Sequence, residues 1–275
     1  MKKVAIIISA NSDIAYQMCL KLVKDGWVVI GTYRKHDENA KNLINLGMSM
    51  HQLDISNINQ ISDFVSGLSG KRWDFLLNAP AIQSPVGNFT DVDFDEWSNS
   101  IHVNFIEQLR ITHKLLPYRN KDSTVLFFAG GGTNNAVLSY SAYTISKIAS
   151  IKVCELLDAE IEDAKFAIIG PGWVKTKIHD ETINAGERLA GKNYQTTLDH
   201  FEQDNFTSMH DVIGSIEWVL KQPKEVVGGR NFSTVYDAWG DEKLVRLLQN
   251  NTNMYKLRRN GNDIMARGAT RNKES

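Results

Sequence analysis

Val4-Ala5-Ile6-Ile7-Ile8-Ser9-Ala10-Asn11-Ser12-Asp13-Ile14-Ala15 runs from an unbroken apolar segment, through a polar turn, into an amphipathic one. An apolar run without alternation reads as a strand buried on both faces, the usual state in a parallel sheet. After the turn, Ile14, Ala15, Met18, Cys19, Leu22 and Val23 recur at helical spacing, which predicts a helix over 13–25 with one face in the core. The same rhythm continues outward. Strand-like runs fall near 3–9, 27–32, 49–53, 73–78, 123–129, 164–169 and 227–233. Helical patterns fill 13–25, 38–46, 57–68, 92–116, 141–162 and 209–222. Such alternation with short connections predicts right-handed βαβ crossovers. The expected fold is α/β: a single doubly wound Rossmann fold with a mainly parallel seven-stranded sheet.

No repeat, low-complexity tract or Pro/Gly linker divides the chain, so one domain is expected over 1–239. Within it, 175–207 lacks clean periodicity and carries Arg188, Lys192, His200 and Phe201. A long insertion at the carboxyl edge of a sheet is where a substrate lid would sit. Beyond it, 240–249 reads as a helix and the rest, to 275, as a polar tail.

Charge excludes several partners. Thirty-one basic and 32 acidic side chains give a net charge of −1, leaving no field for nucleic acid or an anionic membrane. Lys2 and Lys3 before the apolar run imitate a secretion signal, but the run stops too soon to be one. No later stretch approaches the ~20 apolar residues of a membrane span. A soluble, cytoplasmic protein is expected. The two cysteines, Cys19 and Cys154, lie far apart without ligand-spaced histidines, which fits reduced thiols and no metal site.

In this architecture ligands belong at the carboxyl ends of the strands. Ser9, Asn11, Ser12, Asp13 and Ile14 occupy the first such turn, where a dinucleotide pyrophosphate would meet a helix N-terminus. Farther on, Tyr143-Thr144-Ile145-Ser146-Lys147 puts a phenol and an ammonium one helical turn apart. Free tyrosine titrates near ~10, and a neighbouring cation lowers that value, making the pair a general acid/base for an alcohol or carbonyl oxygen.

Taken together, these positions resemble the short-chain dehydrogenase/reductase family over roughly residues 3–235. The family's T-G-x-x-x-G-x-G turn falls on Ile8, Ser9, Asp13 and Ala15, with every glycine replaced. A carboxylate about 6 Å from a phosphate costs ~3 kcal/mol at an effective dielectric near 20, so Asp13 is expected to turn away and cap its helix. The resemblance puts Arg34, after strand two, beside an adenosine 2′-phosphate, with no acid placed to hold a ribose diol. It makes Asp54 an adenine contact, although Asp54 would also serve as a cap for helix 57–68. Leu77-Asn78-Ala79-Pro80 resembles a degraded N-N-A-G, with Asn78 and Ala79 matching. Asn104 matches the helix asparagine near a proton-relay water. Pro171-Gly172-Trp173-Val174-Lys175-Thr176 matches P-G-x-x-x-T, implying nicotinamide contacts at Val174 and Thr176.

The family's catalytic serine position holds Gly130, and Gly130, Gly131 and Thr133 are the nearest candidates to replace its hydrogen bond. The resemblance implies an oxidoreductase that favours NADP(H), with NAD(H) as the alternative. Hydride would move between nicotinamide and a carbonyl or alcohol of a small polar substrate, and the polar 175–207 segment suggests a hydroxylated or anionic one such as a sugar derivative. Tyr143, Lys147 and Asn104 would carry the proton relay. It also implies a homodimer or homotetramer through helices 92–116 and 141–162. The missing serine and glycines motivate the alternative, a non-catalytic NADP(H)-binding sensor or assembly module.

Overall fold

The computed structural model describes residues 2–261. Seven strands form one sheet: β1 Val4–Ile8, β2 Val28–Tyr33, β3 Ser49–Gln52, β4 Trp73–Asn78, β5 Arg119–Phe128, β6 Ala164–Gly170 and β7 Arg230–Ser233. Their order is β3-β2-β1-β4-β5-β6-β7 and every pairing is parallel. The direction of winding reverses between β1 and β4, which opens a crevice at the carboxyl edge.

Helices cover both faces, as the unbroken apolar strands require. In β1, Ala5 and Ile7 join one core while Ile6 and Ile8 join the other. Leu126 of β5 and Ala167 and Ile169 of β6 follow the first pair, and Val125, Phe127, Phe166 and Ile168 the second. This is the two-residue period of a pleated strand, expressed in two apolar layers. Helix α1 (Asp13–Lys24) buries Ala15, Met18, Cys19 and Leu22 against the first core, each large side chain contributing about 1.5–3 kcal/mol. Val23, at the edge of the same stripe, stays exposed. Helices α2 (Glu38–Asn45), α3 (Ile58–Gly67) and α6 (Ser141–Glu160) fall where the periodicity predicts them.

The long helix expected over 92–116 is interrupted. It consists of α4 (Phe94–Ile101), a π turn at His102–Ile106 and α5 (Glu107–Leu115). The Glu107 N–H reaches the His102 carbonyl five residues back, and Asn104 lies inside the widened turn. Such π turns occur frequently at functional sites. The aperiodic 175–207 segment contains two helices, α7 (His179–Ala190) and α8 (Lys192–Glu202). Gly186 breaks the helical conformation inside α7, which accounts for the missing period. Helices α9 (Met209–Lys221), α10 (Lys224–Val227) and α11 (Glu242–Asn250) follow, and β7 begins at Arg230 rather than at 227 because α10 takes Val227. The end of the polar tail, from 262, lies outside the described residues.

Candidate active site

A cleft of about 1730 Å³ opens along the carboxyl edge of the sheet. Its walls include Ser9, Asn11, Ser12, Asp13, Ile14, Arg34, Asp54, Ala79, Gly130, Gly131, Thr133, Tyr143, Lys147, Pro171, Gly172, Val174 and Thr176. Residues far apart in the chain meet here because each ends a parallel strand or opens the element after it.

At the first turn, Ser9 holds the left-handed backbone (φ 58°) that a glycine adopts freely. Ser12 is the N-cap of α1, yet its side chain caps nothing, leaving first-turn N–H groups free for an anion. Asp13 departs from expectation. It is the first residue of α1, and its carboxylate accepts the Lys177 N–H at 2.9 Å instead of capping its own helix. Lys177 also extends its ammonium to Asp37, 3.5 Å away. Asp37, an acid missed at the sequence level, caps α2 and lines the cleft. Burial opposes its charge, but the Ala40 N–H, Asn11 and Lys177 together hold it below the usual carboxylate range. Arg34 is exposed on the same wall and makes no ion pair among the described residues. Asp54 accepts the Ser56 N–H at 2.9 Å, while Asn57 caps α3; the cap reading of Asp54 does not hold.

At the other end, Tyr143 and Lys147 project from α6, with the Lys147 ammonium 5.5 Å from the Tyr143 ring centre. Lys147 as a whole is 2% exposed, and its ammonium donates to the Phe128 carbonyl at 3.0 Å. Burial draws Lys147 down to about 8. The phenol moves the opposite way from the sequence expectation. Burial, with the Glu181 carboxylate adding to it, pushes Tyr143 up to about 12. Desolvating a phenolate outweighs a cation that faces the ring and is bonded elsewhere.

Two asparagines act behind the wall. Asn78 is buried and donates to Thr112 Oγ1 at 3.1 Å, bracing β4 against α5. Asn104 is fully buried, its Oδ1 accepting from Ile82 N (2.9 Å) and its Nδ2 donating to Ile82 O (2.7 Å), so the π turn anchors the loop after β4. Val174, whose backbone is expected to meet a nicotinamide, has its carbonyl bonded to His179 Nε2 at 2.9 Å. Gly172 is indispensable where it stands, since at φ 79° a Cβ would collide with Thr207 and Val235.

Gly130 is confined by a neighbouring side chain rather than by its backbone. A Cβ there would lie 2.8 Å from Tyr143 Cε1 and 3.1 Å from its hydroxyl. The phenol leans into the space a serine would need. The same cleft is lined by Gln83, Tyr140, Glu181 and Thr182, none of which carried a motif; only their place on loops and helices at this edge signals them.

This arrangement of a Tyr/Lys helix beside a switch-point crevice agrees with the sequence comparisons. A family model described as short chain dehydrogenase matches residues 3–186. The chain belongs to the short-chain dehydrogenase/reductase family. Serine 3-dehydrogenase of Rhizobium radiobacter is 22% identical over 233 residues, covering 82% of this chain and 91% of that protein. A short-chain dehydrogenase/reductase from Saccharomyces cerevisiae superposes with a TM-score of 0.77 at 20% identity, covering 87% of this chain and 98% of that one. Another from Burkholderia multivorans, solved with bound NADP, gives 0.69 at 20% identity, covering 87% and 99%. Among the described residues no helix is long and apolar enough to cross a membrane, and no three His, Cys, Asp or Glu side chains gather to hold a metal.

Proposed function

We propose that this oxidoreductase uses NADP(H) to interconvert a carbonyl and an alcohol on a small polar substrate. The carrying observation is that one cleft joins Tyr143 and Lys147 to Arg34, which makes no ion pair among the described residues. The cleft's own features fit a dinucleotide: free N–H groups at α1 and a guanidinium suited to a 2′-phosphate. Asp37 shares the Arg34 wall, but Lys177 partly neutralises it. Bound NADP in the Burkholderia relative supports the same reading.

The nicotinamide would supply or accept hydride. Tyr143, protonated at neutral pH, gives its proton to the substrate oxygen, a state suited to carbonyl reduction. Lys147 provides a cation at the phenol's flank and a donor for the nicotinamide ribose. Asn104 holds the loop after β4 in place through Ile82. The 175–207 segment forms the lid, and the Glu181 charge beside Tyr143 disfavours an anionic substrate, leaving neutral polyhydroxylated ones.

Titration calorimetry of NADPH and NADH against the wild type and Arg34→Ala tests the cofactor assignment. NADPH should bind more tightly to the wild type, and the variant should lose that preference. Unchanged NADPH affinity in Arg34→Ala would remove the 2′-phosphate role.

A further inference from the structure

A reducing site must stabilise charge on the substrate oxygen, and Gly130 brings no side chain to do it. Gln83, on the loop between β4 and α4, lines the same cleft as Tyr140, Tyr143 and Glu181. Two adjacent residues of α7 grip it. Glu181 Oε2 accepts the Gln83 N–H at 2.9 Å and the Ser84 N–H at 2.6 Å. Thr182 Oγ1 donates to Gln83 Oε1 at 3.0 Å and pairs with the Tyr140 hydroxyl at 2.8 Å. The preceding residue, Ile82, is pinned by Asn104 through both its N–H and its carbonyl.

This chain of bonds has a direction. Tyr140 and Thr182 are 5% and 3% exposed, and each hydroxyl has one proton to place. Tyr140 donating to Thr182, and Thr182 to the amide carbonyl, uses both protons. With the Gln83 amide turned over, Nε2 would donate to Thr182 Oγ1 and one of the two hydroxyl protons would lose its acceptor in this chain of bonds, at a cost of about 1–3 kcal/mol. The amide is thus fixed with Nε2 away from Thr182. Neither of its N–H groups meets a protein acceptor among the described residues. A donor held by its surroundings before reaction needs no reorganisation during it.

We propose that Gln83 Nε2 donates to the reacting oxygen the hydrogen bond that a serine would otherwise supply, with Tyr140 and Thr182 as positioning residues. Gln83 keeps both its protons; Tyr143 remains the proton donor. The assignment rests on the reductase reading above.

The test is NADPH oxidation with a panel of small carbonyls and hydroxylated ketones, for wild type, Gln83→Met, Thr182→Val and Thr182→Ser. NADPH affinity is read by fluorescence titration and folding by thermal melts. Gln83→Met should lose ~10²–10³ in kcat, with carbonyl KM and NADPH affinity within about threefold of wild type. Thr182→Val, which frees the amide to rotate, should lose an intermediate factor, and Thr182→Ser should restore it. A Gln83→Met kcat within threefold of wild type overturns the assignment, as does a loss confined to NADPH affinity or melting temperature. Wild type that binds NADPH yet reduces nothing in the panel overturns the reductase reading, and this assignment with it. That result differs from the others because no variant is needed to see it.

Discussion

Replacing Lys147 with methionine should make the protein more stable and less active. Methionine is likewise unbranched and one atom shorter, and it removes the charge from a residue that is 2% exposed. Burial lowers the ammonium from 10.5 to about 8. At about 1.4 kcal/mol for each tenfold change in a protonation equilibrium, this amounts to about 3 kcal/mol withheld from the native state at pH 7. The substitution also removes the bond to the Phe128 carbonyl, a loss of about 1 kcal/mol. The net gain is about 2 kcal/mol, or roughly 4–8 °C in melting temperature for a chain of this size. The sign of the pH dependence follows from the folded value lying below the unfolded one. The penalty is complete below pH 8, fades as pH rises to about 10.5, and is absent above it. Urea unfolding of wild type and Lys147→Met at pH 7 and at pH 10.5 reads this directly. The variant should be the more stable at pH 7 and slightly the less stable at pH 10.5. A variant destabilised at pH 7, or a difference identical at both pH values, refutes the reasoning.

Tyr143→Phe should reduce carbonyl turnover by ~10²–10⁴ while leaving NADPH binding in place, measured by steady-state kinetics beside fluorescence titration; surviving turnover would end its role as the acid. Gly130→Ser should lower activity, about tenfold or more, because the added Cβ sits 2.8 Å from Tyr143 Cε1 and the phenol has to move; increased NADPH oxidation would contradict this. Ser9→Gly should be neutral to stabilising, by up to ~1 kcal/mol, since it relieves a left-handed serine at φ 58° but frees the unfolded chain; denaturant melts showing a loss above ~1 kcal/mol would show that the serine hydroxyl matters more than the backbone. The reductive rate should fall as pH rises through about 8, where Lys147 loses its charge, well before Tyr143 titrates near 12. A rate that stays flat through pH 9 would separate Lys147's charge from the reaction.

The sheet was legible in the sequence because parallel strands buried on both faces leave unbroken apolar runs, and helices packed on them leave a stripe such as Ala15, Met18, Cys19 and Leu22. The Tyr143–Lys147 pair was legible too, since a helix fixes the relation of residues four apart. What the sequence by itself does not hold is contact between loops that are distant along the chain. Asp13 binding Lys177, Thr182 holding Gln83 and Asn104 pinning Ile82 span 164, 99 and 22 residues. No local period records such pairs; they exist only because parallel strands deliver their carboxyl ends to one edge. The direction in which Tyr143 titrates belongs to the same category. Spacing places a cation near the phenol, but solvent exclusion and the charge of Glu181 decide the outcome, and both arise from packing.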